Sequence, residues 1–315
     1  MTTLRSDGTS DEGTPLQAHI AMLVLVSIWA VNFSVAKEAL AIIPPLAFNA
    51  LRFPLAAAVV LFAMRRRAGP RLPERGDRLR LLALGILGNV IYQLCFIFGL
   101  DNTRAGIASV LLAGTPIMTA LLSAAVGHER VTARAWVGVA TAACGILLVV
   151  AGSGPGEGEN LLRGNLLLIG ATVAWAVYSV GSRNVIRKYG AVPVTAWTLA
   201  TGTILIVLLG LRQTLALDFG AIPAQAWIAV GYAGAASIGV AYTLWSYGVR
   251  HLGNTRAGVY SNLVPVLALA VAWGWLGERP SIGQLAGAAI IIGGITLAQI
   301  AARLRLPPGG RTPPP

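Results

Sequence analysis

Charged side chains make up only 11% of this 315-residue chain, against about a quarter in soluble globular domains. That is too little polar surface to cover a water-facing protein. Cysteine is nearly missing. Cys95 and Cys144 are the only two, both inside apolar runs, which excludes a disulfide scaffold and reads as two small buried hydrophobes. Three histidines, His19, His128 and His251, are scattered too widely to assemble a metal cluster by spacing, and no cofactor is implied. No Asp or Glu falls in the middle of an apolar run. Intramembrane carboxylates are the usual proton relays and cation partners, so a proton antiporter built on a buried Glu is disfavoured. Disorder is excluded by a 56% hydrophobic content and a mean hydropathy of +0.71. What remains is an integral membrane protein.

The net charge of +12 suggests nucleic acid as a partner. The basic residues, however, lie in short stretches between apolar runs rather than on one amphipathic face. Basic loops held on the cytoplasmic side against anionic lipid account for them better.

A bilayer core takes roughly 20 apolar residues per helix. That ruler gives ten spans: 19–37, 45–64, 79–99, 104–126, 133–151, 164–184, 194–212, 226–248, 255–276 and 281–301. They are apolar all round, unlike the alternating segments of a barrel. The fold class is therefore an all-α membrane protein. Residues 1–18 read as a disordered cytoplasmic tail without a signal peptide, and 302–315 as a proline-rich one. With the N-terminus inside, 18 Lys and Arg fall on the cytoplasmic side and 5 opposite, with Arg52 inside the second span. This positive-inside bias, led by Arg65-Arg66-Arg67, places both termini in the cytoplasm of a cell inner (plasma) membrane protein.

The chain also repeats itself. Asn102-Thr-Arg-Ala-Gly106 recurs as Asn254-Thr-Arg-Ala-Gly258. Pro116 precedes Glu129 by thirteen residues, and Pro265 precedes Glu278 by thirteen. Gly138 keeps step with Gly287, Gly145 with Gly294, and Trp29-Ala-Val with Trp175-Ala-Val. Residues 19–152 and 164–301 thus form two five-span repeats joined by a turn-rich linker, 153–163. An odd number of spans inverts the second copy. Inverted repeats are common in secondary transporters, which bind substrate near the midplane between them.

The paired turn Gly277-Glu278-Arg279 and Gly127-His128-Glu129-Arg130, with the glycine-rich spans after each, resembles the drug/metabolite transporter superfamily, specifically its EamA-type ten-helix exporters. Trp29-Ala-Val-Asn-Phe-Ser34 and Leu51-Arg52-Phe53 look similar to that family too, and the likeness covers about residues 19–301. Within it the chain looks most like the YddG-type aromatic amino-acid exporters. The resemblance implies a central cavity and export of amino acids or other small metabolites.

Uncharged polar and aromatic residues within spans are the substrate-binding candidates: Asn32, Tyr92, Trp175, Tyr178, Trp245, Ser246 and Asn262. Gly88 shares a face with Tyr92, and Asn89 shares the adjacent one with Gln93. Amides can hydrogen-bond an α-amino or carboxylate group, and rings can stack on a flat side chain. The competing reading is interfacial belts and helix–helix hydrogen bonds. Arg52 is expected to snorkel to the outer surface or cap backbone carbonyls rather than bind a substrate carboxylate. Pro54, Pro116 and Pro265 each remove a helical hydrogen bond, and Pro116 and Pro265 are candidate hinges. Glu129 and Glu278 are candidates for helix capping or for gate closure. Gly283-x-x-x-Gly287 and Gly293-Gly294 are expected to allow close packing of the last span.

The expected activity is export of small neutral metabolites, amino acids with aromatic or bulky side chains foremost, by alternating access in a monomer. A proton route through Glu129, Asp101 or a histidine stays open. The rivals are a carrier of another metabolite or drug, a membrane enzyme, or a scaffold. An enzyme lacks a His/Asp/Glu or Cys/His constellation at one membrane face, and a scaffold lacks a soluble interaction domain.

Overall fold

The computed structural model describes residues 15–67, 72–127, 133–151, 158–252 and 254–303. Among them ten helices follow one another: α1 Pro15–Leu40, α2 Pro45–Arg67, α3 Arg75–Asn102, α4 Ala105–Ala125, α5 Ala133–Ala151, α6 Gly158–Tyr189, α7 Ala191–Leu215, α8 Ala224–Leu252, α9 Asn254–Leu276 and α10 Ile282–Arg303. Eight are long and apolar enough to cross a bilayer, and α5 and α10 contain the shorter apolar stretches Trp136–Ala151 and Ile282–Leu297. A helix occupies the position of each of the ten expected spans. The ends overrun the expectation where polar turns continue a helix, as at Gly158 and Tyr189 of α6.

The two halves run in opposite senses. At one face of the bundle, Lys37 near the end of α1 donates through Nζ to Leu100 O and Asp101 O (2.9 and 2.7 Å) at the end of α3. At the same face α6 begins, with Thr103 donating to Asn165 Oδ1 at 2.8 Å. Thus α1 ends where its counterpart α6 starts. The packing keeps the same exchange symmetry. α5 lies along α10 and α2 along α7; α3 packs on α6 as α8 packs on α1, and α4 on α6 as α9 on α1.

Glycines make this symmetry exact at one interface. A Cβ on Gly145 would sit 2.8 Å from the carbonyl oxygen of Gly287, and one on Gly294 would sit 2.6 Å from that of Gly138. Since Gly138 pairs with Gly287 in the repeat and Gly145 with Gly294, the second contact is the first with the halves exchanged. Gly293 faces open space, so Gly287 and Gly294 are the close-packing residues of α10.

The interruptions repeat as well. α3 carries a wide π turn over Ile86–Ile91 and α8 one over Tyr232–Val240. α4 breaks at Ala113-Gly114 and α9 at Asn262, two to three residues before Pro116 and Pro265. Each proline therefore sits in the first turn of a new helical segment, where its missing N–H has no partner to lose. Gly127 and Gly277, each just past the end of one of these helices, have φ of 73° and 67°, left-handed values that glycine adopts without a Cβ penalty.

Large apolar side chains such as Leu55, Phe62, Leu147, Leu166, Leu208 and Ile228 point outward, as a lipid-facing shell requires. Cys144 also faces outward and Cys95 is half-buried. The expectation that both are buried fails because helix faces against lipid are as apolar as those in the core. The interior instead gathers polar side chains, among them Asn32, Asn49, Arg52, Asn89 and Gln93.

Candidate functional site

Four helices, α1, α3, α6 and α8, two from each repeat, bring aromatic rings together in the interior. The π turn of α3 ends at Ile91 and is followed by Tyr92, whose ring centroid lies 4.9 Å from that of Trp175 and 6.1 Å from that of Phe96. Trp175 continues to Tyr178 at 5.1 Å, and Phe96 to Phe33 at 6.0 Å. Phe33, Phe96, Tyr92, Trp175 and Tyr178 thus form one row from α1 through α3 to α6. These separations suit tilted and offset aromatic contacts. On α8 and α1, the repeat counterparts of α3 and α6, Trp245 and Trp29 approach to 5.9 Å.

The π turns shape this row. A π turn shifts the hydrogen-bond register and leaves a carbonyl available to a side chain. Trp29 Nε1 donates to Ser237 O at 3.0 Å, inside the π turn of α8. In α3 the π turn places Gly88 against Tyr178, where a Cβ would lie 2.6 Å from the ring. The expected face shared by Gly88 and Tyr92 is therefore split: Gly88 receives Tyr178, while Tyr92 meets Trp175 and Phe96.

Of the expected substrate residues, Tyr92, Trp175 and Tyr178 are in direct contact, and Asn32 is buried on α1 beside Phe33 with no hydrogen-bond partner for Oδ1. Trp245 joins Trp29. Ser246 donates back to Tyr242 O at 2.9 Å within α8. Asn262 marks the break in α9. Of the hinge and gate candidates, Pro116 and Pro265 follow the helix breaks, and Glu129 lies outside the described residues. The carboxylate of Glu278 accepts the backbone N–H of Ala105 at 2.6 Å and of Gly106 at 2.9 Å. It thereby caps α4 of the other repeat, where a negative charge also suits the helix dipole.

Arg52 departs from expectation. It is 1% exposed, so it does not snorkel, and its hydrogen bonds run to two side-chain amides rather than to backbone carbonyls. Nε donates to Asn49 Oδ1 at 2.9 Å and one terminal nitrogen, Nη2, to Gln93 Oε1 at 2.8 Å. Its guanidinium carbon lies 4.9 Å from the Phe48 ring centre and 5.7 Å from that of Phe96. Charged side chains within membrane-spanning segments are rare and face the bundle interior, as Arg52 does. The signal available in the sequence was Asn49, one helical turn before Arg52, together with Gln93; it shows only once α3 is seen to lie against α2.

A separate groove of about 400 Å³ is lined by Cys95, Leu162, Arg163, Leu166, Leu167 and Gly170. Leu162 and Leu166 are exposed there, so it opens on the outer surface of the bundle.

The family model described as the EamA-like transporter family matches residues 16–151 and again 162–299. The chain belongs to the EamA-like transporter family. It is a multi-pass membrane transporter of the drug/metabolite transporter superfamily and not an enzyme. Among its relatives is "Uncharacterized transporter YdfC" of Bacillus subtilis, 28% identical, covering 89% of this chain and 90% of the relative. "Probable amino-acid metabolite efflux pump" of Salmonella typhimurium is 28% identical over 91% of this chain and 95% of its own. "Probable terminal-alkyne amino-acid exporter" of Streptantibioticus cattleyicolor is 28% identical over 76% of this chain and 80% of its own. A solved crystal structure shares the fold, with a TM-score of 0.65, 22% identity, and coverage of 93% of this chain and 100% of that one. EamA-family membership and the two matched segments agree with a fold of two inverted five-helix repeats.

Proposed function

We propose that the protein exports small neutral or zwitterionic metabolites, foremost amino acids with bulky or aromatic side chains, across the cell inner membrane by alternating access. The observation that carries this reading is the row Tyr92–Trp175–Tyr178, built where π-interrupted α3 meets α6 of the other repeat. Flat rings in the bundle interior offer stacking surfaces to a flat side chain. The unpartnered Oδ1 of Asn32 offers an acceptor to an α-ammonium group. Two relatives carry names that refer to amino-acid export, which supports the same substrate class.

On this reading the repeats are 19–152 and 164–301, both termini are cytoplasmic, and the unit is a monomer. α4 and α9, broken ahead of Pro116 and Pro265, are the moving gates. Glu278, which fastens the start of α4 to the turn after α9, closes the outer side, and Glu129 has the corresponding role inside.

Export from cells tests the reading. Cells expressing the protein should release phenylalanine or tryptophan into the medium faster than cells carrying Tyr92→Ala at equal expression. Equal release would remove Tyr92 from the site. No release above the empty-vector level would turn the search to other metabolites.

A further inference from the structure

Arg52 is a full positive charge in the interior, and no Asp or Glu among the described residues forms an ion pair with it. Its two hydrogen-bond partners, Asn49 and Gln93, are neutral amides. They orient the guanidinium without neutralising it. Three facts say that the arrangement is unfinished. The other terminal nitrogen, Nη1, has no partner among the described residues. Asn49 is 0% exposed and its Nδ2 is also without a partner. The Oδ1 of that same amide is held by Arg52 Nε, so the free Nδ2 stays next to the guanidinium. Buried polar groups are almost always paired, and a buried charge is normally met by an opposite one.

Two adjacent donors, one of them charged, are what a carboxylate accepts from, and the guanidinium fork suits its planar geometry. Around them stand the Phe48, Phe53 and Phe96 rings, with Arg52 4.9, 5.8 and 5.7 Å from their centres. Phe96 also belongs to the aromatic row through Tyr92. The charge and the rings thus adjoin.

We propose that Arg52 and Asn49 form a carboxylate-binding subsite, in which the ligand's carboxylate supplies the missing counter-charge to Arg52 and its apolar part lies along the ring row through Phe96 and Tyr92. Identifying that carboxylate as the α-carboxylate of an amino acid rests on the transport reading above. A free carboxylate is then required of the substrate, while the amino group is secondary for this subsite. The charge balance is simple: a zwitterion or monocarboxylate brings one negative charge to a site holding one positive charge, so no proton has to move for it to bind.

The purified full-length protein in detergent is tested with three probes that differ in one group each: L-phenylalanine, 3-phenylpropionate without the amine, and phenethylamine without the carboxylate. The readouts are the melting midpoint as a function of ligand concentration and competition for labelled phenylalanine. The two carboxylates are expected to raise the midpoint saturably and phenethylamine is not. Arg52→Gln should weaken both carboxylates by about 30-fold or more, with Arg52→Lys weakened less because it keeps the charge. Should Arg52→Gln fail to fold, the wild-type series decides alone. Stabilisation by phenethylamine equal to that by 3-phenylpropionate overturns the subsite, as does unchanged carboxylate affinity in Arg52→Gln, or no response to either carboxylate. Binding of 3-phenylpropionate through Arg52 without transport of phenylalanine upholds the subsite and removes the amino-acid reading. Transport of phenylalanine blocked equally by phenethylamine does the reverse.

Discussion

Gly145 and Gly287 lie face to face, each placed so that an added Cβ would come within 2.8 Å of the other's carbonyl oxygen. This contact between α5 and α10, one helix from each repeat, leaves no room for a side chain. Gly145→Ala should destabilise the protein by about 1–3 kcal/mol through overpacking. Gly293→Ala, one residue from the interface glycine Gly294 but facing open space, should be neutral. Unfolding midpoints of the two variants in detergent check the pair; equal midpoints would show that the helices can part without penalty.

The Glu278 cap gives a second expectation. Removing a helix cap costs about 0.5–2 kcal/mol, and Glu278 satisfies two backbone N–H groups rather than one. Glu278→Ala should therefore fall in the upper half of that range. Glu38→Ala should fall within about 0.5 kcal/mol of the parent, since Glu38 makes only an exposed contact to Gln225 at 3.3 Å. Reversible unfolding in mixed micelles measures both.

Much of this framework was legible in the residues. Ten apolar runs, the recurring Asn-Thr-Arg-Ala-Gly and the paired Glu-Arg turns define the inverted architecture, because helix length and repeat spacing are local quantities. The prolines were legible only as kink sites: at Pro116 and Pro265 the helix breaks ahead of the proline, and at Pro54 α2 runs on unbroken. What stayed hidden depends on which helix lies beside which. Arg52 on its own suggests snorkelling, and its burial follows only from Gln93 arriving on α3. The π turns in α3 and α8 contain glycines (Gly88; Gly234 and Gly239) but no proline, and glycine is common throughout these spans, so periodicity passes straight through them and the split between Gly88 and Tyr92 was not foreseen. Cys144 shows a further limit: in a bilayer, an apolar run does not distinguish a core-facing position from a lipid-facing one.

Gly88 tests the shape of the ring row. A methyl at Gly88 would meet the Tyr178 ring at 2.6 Å and push it toward Trp175. Tyr178→Phe would lose only a 3.4 Å contact with Thr198, at the weak end of hydrogen bonding. Initial rates in proteoliposomes should drop about tenfold or more for Gly88→Ala and by less than about threefold for Tyr178→Phe. The opposite order would place the substrate away from Tyr178.

The hinges should act on rate rather than on yield. Pro265→Ala restores a helical N–H and favours joining the two segments of α9. Transport should slow while folded protein is recovered at the parental level, and Pro116→Ala on α4 should behave alike because the breaks are repeat-equivalent. Initial rates at matched expression decide; parental rates in both variants would remove α4 and α9 as the moving elements.

The central claim is that this bundle carries amino acids between its two repeats. It is tested most directly by uptake of radiolabelled phenylalanine and tryptophan into proteoliposomes of the purified protein, with and without an imposed pH gradient. The account predicts saturable uptake that the gradient leaves unchanged and that Trp175→Ala and Tyr92→Ala reduce. Uptake of every amino acid no greater than in protein-free vesicles would contradict it.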